Sequence, residues 1–226
     1  MSSIPRKTTR QSKPKSTAVE VGDAVQVAER RTQEQRRETS EQRMLEAALA
    51  LVAEKGTFRV TLAEIGERAG YSRGLPASRF GSKARLLAAL ATLIGERFGE
   101  HRKAYRTEPG LPSIEALSRA YFTRQDWTST RALIVMMAES ALGDSELQPI
   151  IAAYNRDSHR YVQHHITLAQ QAGLARADVD AQTLAVVVLS AFRGAMLQCL
   201  NDPNIDLTRV RDEVIALVRA RLKPEA

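Results

Sequence analysis

The sequence predicts an all-α protein: a small N-terminal domain built around a helix-turn-helix, then a larger, wholly helical half. Three observations carry this. Apolar residues recur at helical spacing in almost every window after residue 40. No stretch of useful length alternates apolar and polar residues with the period of two that a strand requires. Ala, Leu, Arg and Glu dominate a 226-residue chain that has only 12 Gly, 8 Pro and 5% aromatics, a composition that favours helix over sheet.

Residues 1–38 read as a disordered basic tail. Ser2 to Lys15 mixes Ser, Thr, Pro and the cations Arg6, Lys7, Arg10, Lys13 and Lys15 with almost nothing to bury. Val21, Ala24, Val25 and Ala28 fall at helical spacing over 19–31. The first firm helix is expected from Ser40, with Met44, Leu45, Ala48, Leu49 and Val52 as its stripe. Thr39 with Gln42 offers a capping box, and Gly56 stands where a C-terminal glycine belongs. Thr61 caps a second helix, Glu64 can close the box, Val60 and Ile65 hold staple positions, and Gly70 ends it. Ser72 offers the cap of a third helix running to about Arg79.

Phe80-Gly81 breaks the pattern and Ser82 caps a long fourth helix marked by Leu86, Leu87, Leu90, Leu93, Ile94 and Phe98. After the break at Pro109-Gly110-Leu111-Pro112, helices are expected over about 113–126, 130–142, 145–172, 180–201 and 207–222. The expected division is a tail over 1–38, a helix-turn-helix domain over 39–85 and a C-terminal helical domain over 86–226.

The net charge of +7 is unevenly spread. Residues 1–40 hold nine Lys or Arg against five Asp or Glu, whereas residues 101–226 hold fifteen against fourteen. A positive excess concentrated near a helix-turn-helix points to an anionic partner. The single cysteine, Cys199, excludes an intrachain disulfide framework. The N-terminus lacks a signal-peptide core, and the longest uninterrupted apolar run, around Leu184 to Leu189, falls short of a membrane span. A cytoplasmic protein with no membrane partner is expected.

Two short helices joined by a glycine turn form a helix-turn-helix, whose second helix enters the major groove. Here the turn is Gly70-Tyr71-Ser72 and the second helix spans about Arg73 to Arg79. Its cations suit guanine edges and phosphate. The block from Thr61 to Gly74, followed by Arg79-Phe80-Gly81-Ser82-Lys83, resembles the signature of the TetR family of transcriptional regulators over residues 40–95. The chain departs from it at Pro76, where the family has Leu or Ile, and at Ala77, where it has an aromatic.

The resemblance implies a homodimer on double-stranded operator DNA. Thr61, Ser72 and Lys83 would meet phosphates, and Arg73, Leu75 and Ser78 would lie near base edges, with Gly74 in the same motif and Arg79 where the family often has His. It further implies a C-terminal ligand-binding and dimerisation domain, no enzymatic activity and no cofactor. The protein would then be a repressor released from a palindromic operator by a mostly apolar small-molecule effector.

The large adaptable side chains Tyr121, Trp127, Met136, Met137 and Tyr154 are the candidate ligand contacts, since ligand pockets are mostly apolar with a few polar groups. The helix over 180–201 is apolar almost all round and must be covered on every face. With the helix over 207–222 it matches the pair through which the TetR family dimerises, and Val188 and Leu217 are the positions expected to face the partner. Two other signals were weighed. Gly70-Tyr71-Ser72-Arg73-Gly74 fits the nucleophile elbow of a serine hydrolase with Ser72 as nucleophile, a reading that needs a strand before the serine. His159, His164 and His165 share a helix at spacings poor for a metal, so no metal site is expected.

Overall fold

The computed structural model describes residues 18–104, 108–123, 126–142 and 146–224. Among them the chain forms nine helices and no strand: α1 (Ala18–Lys55), α2 (Leu62–Arg68), α3 (Leu75–Phe80), α4 (Lys83–Lys103), α5 (Leu111–Tyr121), α6 (Trp127–Ser140), α7 (Leu147–Gln171), α8 (Ala181–Asn201) and α9 (Leu207–Leu222). The tail cations Arg6, Lys7, Arg10, Lys13 and Lys15 lie outside the described residues.

The chain divides into two compact units at residues 42 and 43, within α1. The main difference from the sequence expectation lies here. Residues 18–38, assigned to a tail with only a weak helix over 19–31, are helical and run without a break into the first firm helix. Ala, Glu, Gln and Arg supply helix propensity, and no proline interrupts the run. Thr39 and Ser40 therefore start nothing. The Thr39 hydroxyl donates back to the Gln35 carbonyl at 2.8 Å and the Ser40 hydroxyl to Arg37 at 2.8 Å, which is how such residues sit inside a helix.

From Arg43 on, the helices enclose two apolar cores. The first joins the C-terminal part of α1 with α2, α3, the inner face of α4, α6 and the start of α7; Met44, Val52, Ile65, Leu86, Leu90, Ile94, Leu133 and Met136 are fully buried in it. The second joins α5, the rest of α7, α8 and α9 around Ile166, Leu189, Phe192, Met196 and Leu222. The helix starts are fixed by side-chain caps: Thr61, Ser82, Asp126, Asp180 and Asp206 each accept a backbone N–H of the following turn.

The α8 helix is long and apolar enough to cross a membrane by length and composition. Leu184, Ala185, Val188, Leu189, Phe192 and Met196 are nevertheless buried in the second core. Val188, expected to face a partner, belongs to that buried side; the open side of the helix carries Val186, Val187 and Leu197.

Candidate nucleic-acid interface and ligand cavity

Thr61 begins the interface. Its hydroxyl accepts the Glu64 N–H at 3.2 Å as the N-cap of α2, and its own O–H remains available to donate outward. Glu64 engages Lys55 of α1 by ion pair and hydrogen bond. That Lys55 contact, with help from the Thr61 backbone, holds the Glu64 carboxyl below its usual range. A second exposed pair, Arg68 to Glu54 at 2.7 Å, also ties α2 to α1.

The turn after α2 is a Schellman motif. Tyr71 N–H donates to Gly66 O at 2.8 Å and Gly70 N–H to Glu67 O at 3.1 Å, with Gly70 at φ +78°. Gly66 has a separate duty that the sequence reading missed. A Cβ there would come within 2.6 Å of the Ser72 carbonyl oxygen and 3.1 Å of Pro76 Cδ. Pro76, the departure from the family pattern, is buried against this bare backbone at the second position of α3, where a helix has no use for its N–H.

The recognition helix therefore begins later than Arg73. Its N-cap is Gly74, with no side-chain cap, and Ser72 contributes only its carbonyl, which accepts Leu75 N–H at 3.1 Å. Ser72, Arg73, Gly74, Ala77 and Ser78 are all exposed around α3 and the turn before it. Leu75 instead packs partly against the first core, and Arg79 is half-buried. Arg73 reaches back to Glu67 at 3.1 Å in an ion pair open to solvent. Lys83 occupies the first turn of α4 next to the Ser82 cap, where unpaired backbone N–H groups favour an anion.

Ser72 is thus flanked by helices on both sides, with no strand among the described residues, so the elbow geometry of a serine hydrolase is not formed. Of the histidines, His165 has a structural role. Its Nδ1 accepts the Gly110 N–H at 3.1 Å where the chain enters α5, and burial, with His164 and Arg102 nearby, holds its pKa below the usual 6.5. Among the described residues no three His, Cys, Asp or Glu side chains gather as a metal site.

A cavity of about 550 Å³ lies between α4 and α7, floored by Leu117 and Tyr121 of α5 and Leu189 of α8. It exists because α4 turns Ala88, Ala91, Thr92, Gly95 and Gly99 towards α7, a face too slim to fill the gap. Of the five candidate ligand contacts, Tyr121 and Tyr154 line it. The other three lie elsewhere: Met136 is fully buried in the first core with Met137 packed beside it, and Trp127 packs on the second.

Contacts that link the two ends run through α6. At its start, Asp126 and Ser129 meet Arg97 of α4, which also holds Glu46 of α1. At its end, Glu139 accepts both the Thr57 N–H at 2.8 Å and the Thr57 hydroxyl at 2.6 Å, just past α1.

Comparison with known proteins agrees with this geometry. Residues 44–90 match the family described as bacterial regulatory proteins, tetR family. The chain is 23% identical over 198 residues to the HTH-type transcriptional regulator CymR of Pseudomonas putida, covering 85% of this chain and 95% of that one. A TetR-family transcriptional regulator from Rhodococcus sp. superposes with a TM-score of 0.75 at 19% identity, over 81% of this chain and 98% of its own. The SmeT–triclosan complex, SmeT being the repressor of a Stenotrophomonas maltophilia efflux pump, superposes with a TM-score of 0.69 at 22% identity, over 83% and 93%. The matching block lies over α1 to α4, and the fold is shared with transcriptional regulators of the tetR family.

Proposed function

We propose that the protein is a cytoplasmic repressor that grips a palindromic operator as a homodimer and lets go when a mostly apolar small molecule occupies the α4–α7 cavity. One observation carries the reading: α4 serves both sites. Its first residue, Lys83, belongs to the anion-binding end beside the recognition helix, and its residues from Ala88 to Arg102 form one wall of the cavity. A molecule that moves α4 against α7 therefore also moves Lys83 and α3.

In this reading Thr61, Ser72 and Lys83 hold phosphates, while Arg73, Gly74 and Ser78 face base edges. Leu75 and Arg79 are partly buried and support the helix from behind. Two recognition helices roughly 34–36 Å apart match successive turns of a duplex, and an effector that prefers another spacing releases them. Tyr121 and Tyr154 are the effector contacts. Binding of triclosan by a protein of the same fold is in keeping with such a site.

Selection of binding sites from random duplexes, repeated with candidate effectors present, tests the proposal. The expected result is an imperfect palindrome whose affinity falls steeply with salt and is lost on effector binding. Weak, sequence-blind binding at moderate salt would overturn it.

A further inference from the structure

Two kinds of polar group around the cavity have hydrogen-bonding or charge capacity to spare. Tyr121 is 3% exposed, and its hydroxyl is buried without a hydrogen bond. Stacking on Phe98, with ring centroids 4.8 Å apart, fixes its direction. Tyr154 stands close by, and burial together with Tyr121 pushes its phenol well above the usual 10, so it keeps its proton.

The cations are similarly placed. Arg102, one turn along α4 from Phe98, lies 3.9 Å over the Tyr161 ring and makes no ion pair among the described residues. Arg193 of α8 stands 5.8 Å from the Tyr154 ring; its Nη1 donates to Asn155 at 2.8 Å, while Nε and Nη2 are buried without partners. The two carboxylates on the cavity wall are on exposed residues, Glu96 and Asp157, and Asp157 pairs with Arg160 at 3.5 Å. The opposite end, at Ala88, Ala91 and Ile150, is apolar. From Ala88 to Arg102 the wall extends about 21 Å along the axis of α4.

We propose, building on the effector reading above, that the cavity takes an elongated amphiphile with a single anionic head, a monocarboxylate on an apolar body. Its head oxygen accepts the Tyr121 hydroxyl near Arg102, and its body lies along α4 towards Ala88. A cationic head would meet the Arg102 guanidinium on the wall, and an uncharged one would leave that guanidinium without an anion.

Calorimetric titration of the full chain, without DNA, with decanoate, decan-1-ol and decylammonium keeps the body constant and varies the head. Decanoate is expected to bind tightest and decylammonium weakest. Tyr121→Phe keeps the ring and its stack on Phe98 yet should weaken decanoate by about tenfold to a hundredfold, the range for a hydrogen bond to a charged group. Arg102→Gln should weaken decanoate while leaving decan-1-ol unchanged. Decylammonium binding as tightly as decanoate, parental decanoate affinity in both variants, or no binding by any probe would each overturn the proposal. The regulator reading is judged apart from this, by whether the same preparations still select and hold an operator.

Discussion

Arg73 and Glu67 meet 3.1 Å apart across a surface open to solvent, and exposed pairs of this kind contribute about 0–1 kcal/mol. Arg73 can therefore exchange its carboxylate for a guanine edge at little cost. Replacing it with Ala should cost about 1–3 kcal/mol of operator binding and relax the choice of one base, whereas Lys83→Ala should weaken all duplexes alike and flatten the salt dependence. Titrating both variants against the selected operator and a scrambled duplex at several salt concentrations separates the two. A paired glycine test concerns stability. Gly66→Ala sets a methyl 2.6 Å from the Ser72 oxygen and against the Pro76 ring, so it should destabilise by about 1–3 kcal/mol in denaturant unfolding. Gly74→Ala meets nothing within 4 Å and should leave stability nearly unchanged, so any effect it has on operator binding belongs to the interface. His165 adds a dependence on pH. Folding lowers its pKa, with Nδ1 accepting from Gly110, while an unfolded chain protonates it near the usual 6.5. The unfolded state then binds more protons as pH falls below that value, and stability declines with it. The melting temperature should drop between pH 7 and pH 5, and by less in His165→Asn, which does not titrate.

Much of the helix plan was legible because punctuation is local. Gly56, Gly70 and Gly81 end α1, α2 and α3, each at positive φ, and Ser82 caps α4; one side chain decides each boundary. The start of α1 was not legible for the converse reason: Thr39 and Ser40 can cap a helix or bond back within one, and only the continuity of the preceding residues decides. The cavity lining was legible only in part, at Tyr121 and Tyr154. Periodicity shows that Met136 and Trp127 face inward but not which neighbour they meet, and they went to the cores. The real cavity comes from missing bulk at Ala88, Ala91, Gly95 and Gly99, which a search for large side chains passes over. The tie of α6 to the end of α1 was invisible too, because Glu139 and Thr57 lie 82 residues apart. Thr57 is 2% exposed, so Glu139→Ala strands a buried N–H and hydroxyl and should cost about 1–3 kcal/mol of stability. If α6 couples the sites, the same variant should bind effector normally but lose part of the resulting drop in operator affinity. Measuring both affinities, each with and without the other ligand, gives the coupling directly.

At the level of the whole molecule, the second core leaves its outer surface unfinished. Val186, Val187 and Leu197 on α8 and Leu217 on α9 are 42–61% exposed, although their helices are otherwise packed by Phe192, Met196 and Val214. On α8 these residues, with Ser190 and Gly194 between them, form a nearly uncharged stripe at helical spacing, the kind of surface that helices bury against a second copy. The proposed homodimer, if built on α8 and α9, would bury this stripe and bring two recognition helices to bear on one palindrome. Three substitutions separate interface from core. Val187→Glu and Leu217→Glu place a charge on the open face, so they should yield folded monomers that lose operator affinity, since one half-site supplies only half of the phosphate and base contacts. Val188→Glu buries a charge in the second core, where the side chain is 1% exposed, and should unfold the domain instead. Sedimentation and circular dichroism together distinguish a 25.0 kDa folded monomer from an unfolded chain. The dimer proposal fails if the unmodified protein sediments as a monomer at micromolar concentration, or if Val187→Glu and Leu217→Glu both remain dimeric with full operator affinity.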